Sequence, residues 1–336
     1  MTFYLYGNIL TFYGVAANNR GENQGNISTL QKLLWKGETH TKISAEAIRW
    51  AIRYYWQKAG YQVNRVWDDE VNDYTWQDPK FNPLDFIDDD LLGFFEAESA
   101  KKEPENAPNK SQSENVNNEP QPENAKLENT NQSKSKKKLP KKLKPKGSVT
   151  HRKGRLDVTR AISLLPYDGN VTFNAKSGTK TRTSIYGTEF HATRYQFGLG
   201  ITPESCQDKS RVLALLDALV SICRVGGNHG RFLFDFAPES IVLRWTSDFT
   251  PRFLYCFEED EMDNICTPEL LRQIRSGDLE PTEFWISGKI AENLQGSEYS
   301  KVNQFSGIKA MVDALKQKIA CDLQFCLLDQ TNRGEN

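Results

Sequence analysis

Three arginines and a set of asparagines near the N-terminus have the types and spacing to hold an anion. Arg20 lies inside the run Ala17-Asn18-Asn19-Arg20-Gly21-Glu22-Asn23-Gln24-Gly25-Asn26, and Arg49 and Arg53 stand four apart downstream. Residues at i and i+4 project from one helix face, so Arg49 and Arg53 form a candidate phosphate clamp. Gly14, Gly21 and Gly25 permit positive φ and asparagine tolerates the left-handed region. Successive N–H groups between Gly14 and Asn26 can therefore converge on an anion. The bland counterparts are a surface loop without a ligand and a solvated helix face.

Other chemistries are poorly supplied. A GxGxxG fingerprint and a Gly-Lys-Ser/Thr phosphate loop are both absent, which disfavours nucleotide cofactors. His229 sits between Gly227 and Gly230 without a Ser or Cys nucleophile and second base, so a role in ending a helix is expected for it. The six cysteines (206, 223, 256, 266, 321 and 326) show no CxxC or zinc spacing, and four lie in apolar runs. Buried, reduced thiols are expected. The acids at 68–70 and 88–90 match no calcium loop and are expected to be solvated. No metal and no cofactor is expected.

The elements that must position these groups follow from periodicity. Phe3 to Phe12 reads as a strand, with a bend or close backbone approach at Gly7. Ser44 to Gln57 reads as a helix capped by Ser44. Ala47, Ile48, Ala51, Ile52 and Tyr55 fall inward, and Glu46, Arg49, Arg53 and Trp56 outward. Residues 65–95 form an acidic, aromatic insertion. Residues 96–147 are low in apolar content and read as a disordered linker, whose end carries eight lysines between Lys134 and Lys146. Order resumes with a basic stretch from Thr150 to Pro166, and Asn174 to Thr183 reads as a basic hairpin tip. A strand from Tyr186 to Ile201 and a helix from Ser210 to Arg224 come next. Beyond the Gly226-Gly227-Asn228-His229-Gly230 turn, strands are expected at Phe232–Phe236 and Ile241–Trp245. The chain closes with a helix near Pro268–Arg275, a strand Phe284–Ile290 and a helix near Gly307–Ile319.

This order fits an α+β, ferredoxin-like core with insertions. The core takes residues 1–64 and 184–330, and 148–183 forms a projecting thumb or finger. At 336 residues and a formal net charge of −1, the chain has room for a sizeable core and is no uniformly basic binder. A signal-peptide pattern and an apolar run of about 18 residues are lacking, so a cytoplasmic protein without membrane contact is expected.

The stretch Ala17–Asn26, followed by Ile43-Ser44-Ala45-Glu46-Ala47-Ile48-Arg49, resembles the N-terminal signature of the DevR-type autoregulator family. That family supplies the backbone subunit of type I-B CRISPR Cascade complexes. Gly154–Leu164, Leu213 through Asn228-His229, and Ala237–Arg244 are similar to the same family, and together the blocks span most of the ordered chain. The resemblance implies an RNA-recognition-motif-like palm with a thumb, and copies of the chain stacked along one crRNA. The protein would grip the guide's sugar-phosphate backbone without reading sequence, while the guide pairs with target DNA. The RNA-binding set it implies is Asn18, Asn19, Arg20, Asn23, Gly25, Asn26, Ser44, Arg49, Arg53, Arg152, Arg155, Arg160, Asn228 and His229, with no catalytic residue. Other Cascade subunits are implied partners. The long 96–147 insert departs from the family and points to a lineage-specific partner, with a transposition module among the candidates. Two further readings are an RNA endonuclease using Asp157 and His229, and a promoter-binding autoregulator. The second lacks an evident helix-turn-helix.

Overall fold

The computed structural model describes residues 1–17, 20–97, 149–175, 185–226, 233–294, 296 and 299–325. It contains a large unit, Met1–Phe94 with Arg152–Asn336, and a small one, Phe95–His151. The small unit is described only in parts of two paired strands, Gly93–Ala97 and Val149–Lys153. Apart from its first two positions, the 96–147 linker lies outside the described residues.

A sheet of nine strands organises the large unit. Its members are β1 (Tyr4–Thr11), β2 (Lys32–Trp35), β3 (Glu38–Ile43), β4 (Leu156–Val158), β5 (Ala161–Ser163), β6 (Tyr195–Ile201), β7 (Pro238–Thr246), β8 (Phe284–Gly288) and β9 (Asn303–Phe305). They lie in the order β9-β8-β7-β1-β6-β5-β3-β2, with β4 also paired to β6. Among the described pairings of this sheet, only β8–β9 is parallel. The helices are α1 (Ala45–Lys58), α2 (Ile87–Leu91), α3 (Arg211–Val220), α4 (Pro268–Arg275), α5 (Lys289–Asn293) and α6 (Ile308–Asp322). Within the path β1, α1, β4 and β5, β6, α3, β7, the strands taken in chain order as first to fourth lie as 4-1-3-2.

Alternation along β1 sets two layers. Leu5 and Ile9 join a core with Ile48, Ile52, Phe197, Leu215, Leu243, Val312 and Leu315, so α1, α3 and α6 cover one face. Leu10 and Val242 face a second core built from Phe253, Phe257, Leu270, Phe284 and Ile290. Full burial of each such side chain contributes about 1.5–3 kcal/mol before entropy is counted. A Cβ on Gly7 would stand 2.8 Å from Leu243 Cδ2, so the glycine makes room for a neighbouring side chain, where a bend or a close backbone approach was expected. On the second face the buried Asn8 side chain accepts from the Tyr255 N–H at 3.2 Å and donates to Gln196 Oε1 at 3.3 Å. Gln196 in turn donates to the Phe257 carbonyl at 3.0 Å. These bonds fix the 255–257 segment over β1 and β6.

Several sequence expectations are corrected. The described residues between Gly14 and Asn26 form paired ribbons where an open nest was expected: Gly14–Ala16 pairs with His191–Thr193, and Arg20–Gln24 pairs with Ile27–Leu30 around a two-residue turn at Gly25-Asn26. Of the three glycines only Gly25 has positive φ, 64°. The Tyr186–Ile201 strand is three strands, Ile185–Glu189, His191–Thr193 and β6, because the first pairs into a separate four-stranded sheet. Described residues 233–236 form no strand, and Phe234 and Phe236 instead fill the first core. Part of the 148–183 segment, β4 and β5, belongs to the main sheet. Trp56 is fully buried, donating from Nε1 to the Ala214 carbonyl at 2.9 Å, and so leaves the polar face of α1. Asp88, Asp89 and Asp90 are buried, not solvated. Of the described cysteines only Cys256 is buried; Cys223 and Cys321 are exposed. No helix among the described residues is long and apolar enough to cross a membrane.

Candidate nucleic-acid interface

Strand register builds the site. Ala161 pairs with Ile43 and Ile162 with Lys42, so Arg160 comes opposite Ser44, where β3 runs into α1. Ser44 is the N-cap of that helix: its Oγ accepts from the Ala47 N–H at 3.2 Å, and Glu46 stands in the first turn. The turn between β4 and β5 is held down by Thr159, whose N–H donates to the Gly198 carbonyl and whose Oγ1 accepts from the Gly198 N–H. Arg160 is thereby presented to solvent beside the start of α1.

A cleft of about 480 Å³ opens at this junction, walled by Leu33, Trp35, Ala45, Glu46, Arg49, Val158, Thr159, Arg160, Ile162 and Tyr255. Trp35, placed by the tight Lys36-Gly37 turn with both φ positive, tilts against Tyr255 at 5.2 Å between ring centroids. Tyr255 has φ 57°, a strained value for a bulky residue. Asn8 and the Arg160 carbonyl, which accepts from the Tyr255 hydroxyl at 2.8 Å, hold it there. Two arginines against one carboxylate leave the cleft cationic. The Arg49 Nε is shut off from water and has no hydrogen-bond partner among the described residues. An atom so enclosed is out of reach of an entering ligand, so what Arg49 brings to the cleft wall is its guanidinium charge.

The other expected site residues are placed differently. Arg53 donates from Nε to the buried Asp88 at 2.8 Å, with Arg65 backing the same carboxylate at 3.7 Å. It is a strut between α1 and α2, not a partner of Arg49 in a clamp. Arg152 donates to the Asp89 carbonyl at 2.6 Å and lies over the Phe94 ring at 5.3 Å. Arg155 is exposed near the outer end of β6. Asn23 accepts from the Ser28 hydroxyl at 3.0 Å, and Asn26 donates to the Ile185 carbonyl at 2.9 Å, so both shape their hairpin. Asn18, Asn19, Asn228 and His229 lie outside the described residues, as does the side chain of Arg20. Asp157 is exposed and ion-paired with Lys153 at 3.2 Å. Among the described residues no three His, Cys, Asp or Glu side chains could hold a metal together. Burial pushes the Cys206 and Cys256 thiols up to about 12, far from thiolate chemistry. Sequence reasoning missed Trp35 and Tyr255. Lys36-Gly37 hints at the turn that positions the first, and nothing local announces the second.

Fold and cleft together define an α+β protein that presents a cationic, aromatic-walled recess on a sheet clad by helices. No family profile matches the chain. A CRISPR-associated protein Cas7/Cst2/DevR of Myxococcus xanthus (strain DK1622) is 37% identical over 316 residues, covering 89% of this chain and 90% of the relative. The chain belongs to this Cas7/Cst2/DevR family of CRISPR-associated proteins. In fold it is similar to a chain of a solved CRISPR RNA-guided surveillance complex in a pre-nicking state. The TM-score is 0.50 at 10% identity, covering 94% of this chain and 100% of the other. A chain of another CRISPR RNA-guided surveillance complex gives a TM-score of 0.47 at 13% identity, covering 94% and 99%.

Proposed function

We propose that this chain is the backbone subunit of a type I-B CRISPR surveillance complex. Copies stack along a crRNA, hold its sugar-phosphate backbone without sequence preference, and leave its bases to pair with target DNA. The observation that carries the reading is the cleft that Arg49 and Arg160 line together at the start of α1, a cationic setting that suits a phosphate. Family membership and the 4-1-3-2 strand order support a ferredoxin-like palm, with the four-stranded sheet and its Gly25-Asn26 turn as an accessory finger. Arg49 and Arg160 take phosphates, while Arg53 and Arg152 maintain the fold. Stacking is heterologous, one face against a different face, because an isologous contact closes on itself and cannot continue along RNA. The role is structural and not enzymatic. A transposition module is a proposed partner of the 96–147 insert.

The test is to purify the chain from its host under gentle conditions and sequence the RNA that comes with it. Guide-length RNA with repeat-derived ends is the expected result. RNA of random length and origin, or promoter DNA in its place, would overturn the reading.

A further inference from the structure

Beside the arginine cleft, and sharing Val158 and Thr159 with it, lies a second groove of about 330 Å³. Its walls are aromatic and aliphatic: Tyr4, Tyr6, Leu199, Phe249, Pro251 and Leu254. Tyr4 and Tyr6 stack at 6.0 Å with 5° between planes, and Phe249 meets Tyr4 edge-on at 5.6 Å. Tyr6 is held in place because its hydroxyl donates to the Phe249 carbonyl. Its ring lies over Gly200, where an added Cβ would come within 3.1 Å of it, so any larger residue at 200 would crowd the groove's floor. Phe249 keeps 75% of its surface in water although it closes an apolar groove. Arg155 and Asp157 stand at the rim.

We propose that this groove is a stacking subsite for one base of a single-stranded nucleic acid whose adjoining phosphate sits in the arginine cleft. The inference rests on the proposed function of that cleft. The volume suits one planar ring system, and exposed aromatic rings on a pre-set scaffold supply stacking without sequence preference. Asp157, paired with Lys153 at 3.2 Å, still offers a carboxylate oxygen at the rim that can accept from an exocyclic amine. Arg155 borders the same groove and adds a positive charge to it. The polynucleotide thus passes from phosphate cleft to base groove across Val158 and Thr159.

The experiment compares the full-length chain, freed of bound nucleic acid in high salt, with Phe249→Ala and Tyr6→Leu. Single-stranded RNA and DNA of one sequence, and the same strands carrying scattered abasic positions, are titrated at several salt concentrations. Phe249 is mostly exposed, so its replacement leaves the fold intact, and thermal unfolding checks both variants. Loss of one stacked base lowers affinity by about 5- to 150-fold. The expected result is a loss in that range with an unchanged salt slope, matched by the effect of abasic strands on the wild type and absent when those strands meet the variants. Preference for RNA over DNA in these arms assigns the base to the guide, and the reverse assigns it to the target strand. Unchanged affinity in Phe249→Ala, while Arg160→Ala still lowers the salt slope, overturns the groove and leaves the cleft standing. Unchanged slopes in Arg49 and Arg160 variants overturn the cleft itself.

Discussion

Arg49→Met separates a binding residue from a structural one, because the two roles move stability in opposite directions. Arg49 is half-buried and its Nε has no partner. An unsatisfied buried donor costs about 1–3 kcal/mol. Methionine keeps most of the apolar stem and removes the donor. The free protein should therefore gain about 1 kcal/mol of stability, the lower end applying because only one guanidinium nitrogen is orphaned. Binding should change the other way. A charge-assisted hydrogen bond to phosphate contributes about 1.5–3 kcal/mol, so affinity for single-stranded RNA falls about 10- to 150-fold. One phosphate contact fewer also reduces the slope of log K against log salt by about 0.7. Urea midpoints measure the first effect, and filter binding of labelled RNA at stepped salt measures the second. A variant that unfolds more easily and binds with the same slope would refute the argument and make Arg49 a strut like Arg53.

The remaining predictions concern the scaffold. Arg53→Ala leaves Asp88 buried with only Arg65 at 3.7 Å and the Asn64 N–H at 2.8 Å, and should cost about 3 kcal/mol in denaturation midpoints with the RNA salt slope unaltered. A slope that drops instead returns Arg53 to the interface. Burial, with the charge of Asp88 second, lifts Asp89 to about 6. The folded state therefore binds that proton more tightly than the unfolded chain, and between pH 6 and 4 this group adds stability as pH falls. Asp89→Asn should be more stable than wild type at pH 7, by about 2–3 kcal/mol, and lose that advantage by pH 4. A difference that does not vary between pH 7 and 4 would show that Asp89 gives up its proton at the same pH folded as unfolded, and would remove the effect of burial. His191 works in the opposite sense: burial lowers its pKa, so its contribution is present above pH 6.5 and is lost as pH falls below it. A His191→Gln variant, in which the amide can still bond Thr41 or Pro166, should show a shallower loss of stability between pH 6.5 and 5 in the same denaturation series.

The sequence carried the helices well. α1 begins at its Ser44 cap and α4 covers the expected Pro268–Arg275, because capping and 3.6-residue periodicity are local signals. The ribbons between Gly14 and Leu30 were not legible. Glycine and asparagine advertise turns, and five residues of polar strand, Arg20–Gln24, carry no alternating apolar pattern to advertise pairing. The Asp88–Asp90 run misled for a related reason. Three adjacent acids look solvated, yet Arg53, Arg65, Asn64, Arg211 and the Gln207 N–H converge on them from separate parts of the chain. Partners that distant in sequence are invisible to any local pattern.

Arg49 and Arg160 illustrate the same divide at the site. Each was a candidate for its charge alone, as was Arg53, and charge could not rank them. What separates them is pairing. Arg53 falls one helical turn beyond Arg49 and meets Asp88; Arg160 falls one residue before Ala161, whose register with Ile43 places it at the head of α1. A one-residue slip of β5 against β3 would turn every side chain to the other face. The geometry of the cleft thus depends on the core residues that fix this register, Ile43 and Ala161, both fully buried. An interface of this kind is specified less by its own polar residues than by the apolar strand pair behind it, so core substitutions that shift β5 should cost RNA affinity before they cost the fold.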